Sequence, residues 1–299
     1  MKKLPTVSIV IPAFNEEGNI SLLLTDLLLQ TSKSYGLEQI VIISDKSTDN
    51  TVSNAKSVVS KLIQVIELKK RQGKAKAVNS FFSRAKTDIV VQLDADIRIR
   101  DERCLELLLQ PIIEEGVSLT SAQVMEIESK NIFQAVLQTS MQVKKNIFRE
   151  HRQGNNLFTC HGRARAFAKN LYKNINFPVS AGEDAYSFFY CKANNLKYQY
   201  VDSAKVFYSL PANFYDHLLQ SSRYFNHDNQ IASYFDDSVY ANEYSLPISL
   251  TVKHIALNIL RKPLHMFFYA GIVCICKIYS AFSREHGNTW SVSQSSKIT

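Results

Sequence analysis

The 299-residue chain is 45% hydrophobic and 21% charged, which suits a folded protein with a sizeable core and excludes disorder over most of its length. Its formal charge of +8 points to an anionic partner such as a phosphorylated substrate or a phospholipid surface, and no nucleic-acid motif accompanies it. Five cysteines in a chain this long make no disulfide framework and fit a reducing, cytosolic compartment.

The apolar stretch before Pro12 is too short for a signal-peptide core and reads instead as a first strand, VSIVIPA at 7–13. A helix from Asn15 to Gln30 follows, with Leu22, Leu23, Leu27 and Leu28 expected on its inner face. Next come a strand at 39–44 (QIVIIS), a helix from about Thr48 to Lys61 and a strand at 63–68 (IQVIEL). A helix from Lys74 to Ala85 then leads into a strand at 88–96 (DIVVQLDAD). Unbroken β-branched runs alternating with helical patterns predict an α/β fold with a mostly parallel sheet covered on both faces. Further strands are expected near Ser118–Glu128 and Tyr198–Tyr208.

From Ser245 the character changes. Leu264–Phe282 has only His265 and Lys277 as strongly polar residues, and at helical rise its length is about that of a bilayer core. Residues 1–244 are therefore read as a catalytic domain and 245–299 as a helical, membrane-associated segment with a polar tail. Lys277 lies inside the apolar run, which favours a helix lying in the interface over a true span.

Ligands of such sheets bind at the carboxyl ends of the strands. Asn15 and Glu16 follow the first strand there, Asp45 the second, and Asp94 and Asp96 end the fourth. In extended chain, Asp94 and Asp96 point the same way, so both can face one hard cation and a diphosphate. No G-x-G-x-x-G follows a strand and no G-x-x-x-x-G-K-[ST] occurs, which removes the usual support for dinucleotide and P-loop chemistry. Arg163 and Arg165 alternate as on one face of a strand, toward an anionic acceptor or toward water, and Cys160 reads equally as core or as site.

Taken in order, PAFNEE, SDKSTDNT, RQGKAKAVN, LDADI, GED and QSSRYF resemble the inverting family 2 glycosyltransferases of the GT-A fold, notably the cellulose and hyaluronan synthase branch. The resemblance covers about residues 5–230. It implies that Pro12, Asn15 and Glu16 contact the nucleotide and that Asp45 reads the base, although Ser44-Asp45-Lys46-Ser47 departs from the family's Asp-Asp-Gly-Ser. Arg71 and Lys74 match a basic loop near the donor phosphates, and RQGKAK also reads as a solvated charge run. Asp184 corresponds to the general base that takes the acceptor's proton. Glu183 or Asp184 also suits a helix N-cap beside Gly182. Gln220, Arg223 and Tyr224 stand where the synthases have Gln-x-x-Arg-Trp, gripping the diphosphate and packing on a sugar.

The implied activity is metal-dependent, inverting transfer of a sugar from a nucleotide-sugar, a UDP-sugar in the common case, to a saccharide or lipid-linked acceptor. Mg²⁺ or Mn²⁺ is the implied cofactor, with Asp96 the main ligand and Asp94 nearer the ribose. A membrane surface is the expected partner, and the cytoplasmic face of the cell membrane the expected location. Two other classes compete: nucleotidyl transfer, which uses paired acids on a similar sheet, and a non-catalytic nucleotide-sugar-binding membrane protein.

Overall fold

The computed structural model describes residues 3–179, 181–235 and 237–282; the side chains of 222–230, 237–238 and 281–282 lie outside that description. Among the described residues the chain divides into two compact units, 3–125 with 160–208, and 126–159 with 209–282.

The first unit is built on an eight-stranded sheet. Its strands are β1 (Thr6–Ala13), β2 (Gly36–Ser44), β3 (Ile63–Glu67), β4 (Ile89–Leu93), β5 (Ile97–Arg98), β6 (Leu119–Glu126), β7 (Ala164–Ala168) and β8 (Tyr198–Tyr208). Their order in the sheet is β3-β2-β1-β4-β7-β6-β8-β5. The first four are parallel, with Ile9 opposite both Ile40 and Val91. Beyond β4 the pairing turns antiparallel: β7 runs against β4 and β6, and β5 against β8. All five residues of β4 are buried, as a strand covered on both faces must be. The helices of this unit are α1 (Ile20–Leu28), α2 (Thr51–Ser57), α3 (Lys74–Arg84), α4 (Cys104–Glu115), α6 (Lys169–Tyr172) and α7 (Glu183–Ala193). The intervening α5 belongs to the other unit. This is the α/β architecture of the GT-A type.

Three differences from the sequence reading have physical causes. The first helix begins at Ile20, because Asn15 adopts a left-handed φ of 55° and the polar side chains of 15–19 bond elsewhere. Its inner face is Ile20, Leu23, Leu24 and Leu27, the i, i+3, i+4, i+7 stripe, while Leu22 and Leu28 are largely exposed. The fourth strand stops at Leu93, where the chain leaves the ladder for a turn that carries Asp94 and Asp96.

The loops after β1 and β2 are bonded to each other rather than left to solvent. Asn15 N–H donates to Ser47 Oγ (3.1 Å), and Asn15 Oδ1 accepts from Thr48 N–H (2.8 Å). Glu16 N–H donates to Thr51 Oγ1 (2.6 Å), and Glu17 accepts from Asn50 N–H (3.0 Å). At the opposite edge of α3, Phe82 sits among Phe167, Tyr172 and Phe177, with ring centroids 5.1, 5.6 and 5.8 Å away.

The second unit is helical: α5 (Ile132–Glu150), α8 (Phe214–Ile231), α9 (Asp237–Tyr244), α10 (Ile248–Arg261) and α11 (Pro263–Phe282). Asn131 caps α5 by accepting from Gln134 N–H (2.8 Å). After α5 the chain turns through three left-handed residues, Arg152, Gln153 and Gly154. Buried Asn156 holds that turn by donating to the Phe148 and His151 carbonyls, both at 2.7 Å. The apolar run expected at Leu264–Phe282 is helix α11, and α10 is an additional helix.

Truncating the centre of the aromatic cluster leaves a void that the sheet cannot close. Phe82→Ala is expected to cost about 3–5 kcal/mol, read as a lowered urea midpoint at unchanged m-value.

Candidate active site

Lys74 is the first residue of α3, and Gly73 before it has a φ of 87°, a value side chains resist. Asp45, at the end of β2, fixes this turn. Its two carboxylate oxygens accept from the amides of Gln72 (2.7 Å) and Gly73 (2.8 Å). Asp45 is 5% exposed and thus committed to the backbone of the basic loop. Arg71 in that loop is exposed and lies over the Phe14 ring, 3.8 Å from its centroid.

From this anchored start, Lys74 reaches inward. Its Nζ meets Asp94 Oδ1 at 2.6 Å and Glu183 Oε1 at 2.5 Å, and donates to the Gly162 carbonyl at 3.2 Å. Three protons thus have three acceptors. Glu183 is 4% exposed and is also approached by Arg165 Nη2 at 3.6 Å. Arg165, 0% exposed, donates to the Glu183 carbonyl (2.8 Å), Ser187 Oγ (2.7 Å) and Gln92 Oε1 (2.5 Å). Gln92 in turn donates to the Gly162 carbonyl at 3.0 Å. Two cations and two carboxylates therefore close one neutral, largely buried network that joins α3, β4, β7 and α7.

The network sets the protonation of its members. Burial disfavours the charged form of Lys74, but Asp94 and Glu183 hold it well above the ordinary lysine value. Burial and the neighbouring Asp96 and Glu183 carboxylates raise Asp94, with Lys74 opposing them. Burial of Glu183 is outweighed by Lys74 and Arg165, which hold it below the usual range.

Gly162 is the residue around which this packs. A Cβ there would lie 2.9 Å from Glu183 Oε1, 3.2 Å from Lys74 Nζ and 3.6 Å from Asp184 Cβ. Asp184 therefore stands directly beside the network, in the first turn of α7. The N-cap of α7 is Gly182, without a side-chain bond, and Asp184 Oδ1 accepts from Ala185 N–H (2.8 Å). Asp184 and Asp96 are both half-buried, and Asp96 flanks Asp94 on the turn after β4, between buried Ala95 and Ile97.

Of the other expected contacts, Pro12 pairs with Ile43 at the end of β1 and is half-buried. Glu16 accepts from Asn19 Nδ2 (2.7 Å). Gln220 is half-buried on α8 of the second unit, and the Arg223 and Tyr224 side chains lie outside the described residues. Cys160 is core: it is 2% exposed, and burial pushes its thiol up to about 12.

Comparison with known proteins gives this arrangement a family. The model of Glycosyl transferase family 2 matches residues 8–175, more than half of the chain. The chain belongs to that family. Relatives include the undecaprenyl-phosphate 4-deoxy-4-formamido-L-arabinose transferase of Proteus mirabilis, 26% identical over 41% of this chain and 38% of that protein. The dolichyl-phosphate beta-glucosyltransferase of Saccharomyces cerevisiae is 33% identical over 30% of this chain and 29% of that protein. The matches thus span roughly a third of these relatives' lengths, and both are named for a polyprenyl phosphate rather than for a polysaccharide. Among solved structures, the mannosyltransferase PcManGT of Pyrobaculum calidifontis, in complex with GDP-Man and Mn²⁺, superposes with a TM-score of 0.61. It is 17% identical, over 96% of this chain and 78% of that one, and establishes likeness of fold.

Among the described residues no group of three or more His, Cys, Asp or Glu is placed to enclose a metal. Asp94 and Asp96 supply hard oxygens on a turn, which suits an ion that takes one or two carboxylates and completes its shell with substrate phosphate and water.

Sequence reasoning gave Glu183 only as a possible N-cap of α7, and it did not bring Gln92 or Gly162 to Lys74. Arg165 was visible only as an alternating charge, and the reading of it as facing an acceptor or water fails because it is fully buried. Nothing in the chain order announces that these residues meet Lys74.

Removing the shared cation leaves the buried Glu183 carboxylate facing the partly exposed Asp94 carboxylate. Lys74→Met is expected to cost about 3–5 kcal/mol in chemical denaturation. Adding Glu183→Gln to it should recover part of that loss, a non-additivity that a double-mutant cycle reads directly. Gly162→Ala should cost about 1–3 kcal/mol by forcing the Glu183 and Lys74 side chains apart.

Proposed function

We propose that this chain transfers a sugar, with inversion, from a nucleotide-diphosphate donor to the phosphate of a membrane lipid. The observation that carries the reading is the convergence of Asp94, Lys74, Glu183 and Asp184 around Gly162, at the carboxyl end of β4. Relatives named for polyprenyl phosphates support the acceptor class over the saccharide acceptor of a polysaccharide synthase.

The roles follow from chemistry. Asp96, with Asp94, would hold Mg²⁺ or Mn²⁺ against the donor diphosphate. When bound, such an ion neutralises the charge that grows on the leaving diphosphate. Arg71, exposed on its anchored loop, adds positive charge for the same phosphates. Asn15, Glu16 and Pro12 line the adjoining loops for the nucleotide, whose base is most simply uracil, and Asp45 keeps the basic loop in register beneath it. For Gln220, Arg223 and Tyr224 the family resemblance implies contacts to the diphosphate and the sugar. Asp184 accepts the proton of the attacking acceptor oxygen. The enzyme works at the cytoplasmic face of the membrane, in keeping with the exposed apolar helix α11.

The test is a screen of nucleotide-sugars with Mg²⁺ or Mn²⁺ and a polyprenyl phosphate in detergent micelles, scoring nucleoside diphosphate and glycolipid. Pyrophosphate in place of nucleoside diphosphate would mean nucleotidyl transfer, and neither product would mean a binding protein. Asp96→Asn and removal of metal with EDTA should each abolish turnover.

Below about pH 6, where the acceptor phosphate keeps its second proton, Asp184→Asn should lower kcat by about 10²–10⁴-fold with donor affinity unchanged. A phosphate acceptor loses its second proton near pH 6 and then needs no base. The defect should therefore shrink as pH rises through that value. A defect that stays constant with pH would instead identify a sugar hydroxyl as the acceptor.

A further inference from the structure

Helices α10 and α11 have their polarity reversed relative to helices of a water-soluble core. On α10, Ile248, Val252, Ile255 and Ile259 follow the i, i+4, i+7, i+11 spacing of one face and are 80%, 58%, 38% and 48% exposed. The residues that α10 buries are His254 and Asn258. On α11, Leu264, Phe268, Ile275 and Ile278 form a second exposed row, while Cys276 and Ser280 are buried. Only 11% of the window Pro263–Ser280 is buried, at a mean hydropathy of 1.3.

What the polar sides meet is protein. His254 Nε2 lies 2.8 Å from Glu150 Oε2 on α5, and Lys253 Nζ lies 2.7 Å from Oε1 of the same carboxylate. His265 Nδ1 on α11 lies 2.8 Å from Thr139 Oγ1 of α5, and Lys144 of α5 stands over the Tyr269 ring at 5.7 Å. Water is a poor solvent for the outward faces, and a patch of this kind marks a binding surface.

We infer that α10 and α11 together dock this chain into a single leaflet of an anionic bilayer, apolar rows in the acyl boundary and polar sides on α5. This deepens the membrane reading above and adds α10 to it. At 14 residues α10 is about 21 Å long, too short to cross the roughly 30 Å hydrocarbon core. Helix α11 is long enough, but it runs beside α5, whose Lys144 stands over its Tyr269 and would be dragged into hydrocarbon by a span. Lying in the interface satisfies both helices. Exposed Arg261 and Lys262 at their junction, and Lys277, supply the positive charge that selects an anionic leaflet over a neutral one or a second copy of this chain.

The test uses the full chain and vesicles of phosphatidylcholine with or without phosphatidylglycerol. Flotation should improve about tenfold or more with the anionic lipid and fall back in high salt. Leu260→Glu and Phe267→Glu, at 81% and 75% exposed positions, should abolish flotation at unchanged thermal stability, with Val59→Glu (93% exposed) as the unaffected control. Cys274 is exposed while the other four cysteines are buried, so one fluorophore reports depth. Its emission should shift blue and be quenched from within the lipid, not by aqueous iodide. Failure to float, flotation of the Glu variants, or a dimer that those variants dissociate without lipid each overturns the inference. Nucleoside diphosphate release with a short water-soluble acceptor phosphate, measured alongside, should survive Leu260→Glu, which separates lost docking from lost chemistry.

Discussion

A buried ammonium with three protons must find three acceptors, and around Lys74 that requirement organises the first unit. Two acceptors come from acidic motifs almost ninety residues apart in sequence, Asp94 and Glu183, and the third is the Gly162 carbonyl. Neutrality then demands a second cation for the second carboxylate, which Arg165 provides from β7. Since Arg165 is wholly buried, its guanidinium needs acceptors as well, and Gln92, Ser187 and the Glu183 carbonyl are there. Each residue is constrained by the one before it. A glycine at 162 is the steric consequence, because the space its side chain would take is filled by charge.

The network also explains how two loops with different tasks keep a fixed relation. Asp94 leaves β4 on one side, and Asp184 opens α7 on the other. Glu183, adjacent to Asp184 in the chain, is bonded to the same nitrogen as Asp94. A shift of one motif is thereby transmitted to the other through side chains that have no room to relax. The loops after β1 and β2 are treated similarly, by backbone-directed bonds from Asn15, Ser47 and Thr51, and Asp45 does the same for the basic loop. Much of what reads in sequence as ligand chemistry is spent holding the backbone of the pocket.

The second unit distributes its polarity differently. In the sheet unit apolar residues go inside, as in β4, whereas α10 and α11 bury histidine, asparagine and serine and leave isoleucine, leucine and phenylalanine outside. Within the second unit, helix α5 carries Glu150 and Thr139 toward α10 and α11. The excess positive charge of the chain is consistent with the outward faces of α10 and α11 meeting anionic lipid.

The sequence by itself determined the parallel half of the sheet, through β-branched runs of the right length, and it determined the family, through short motifs in a fixed order. It also marked α11, because a mostly apolar run of 19 residues leaves few alternatives. Helix α10 escaped notice, since its apolar row is interrupted by Lys253, His254 and Asn258 and looks ordinary until its orientation is known. Equally silent were the partners of Lys74 and the burial of Arg165. Periodicity reports which way a side chain points along its own element, but an ion pair depends on where another element arrives. Only the tertiary structure decided that Glu183, beside the motif aspartate, is the buried partner, because contact between α3, β4, β7 and α7 exists only after the chain has folded.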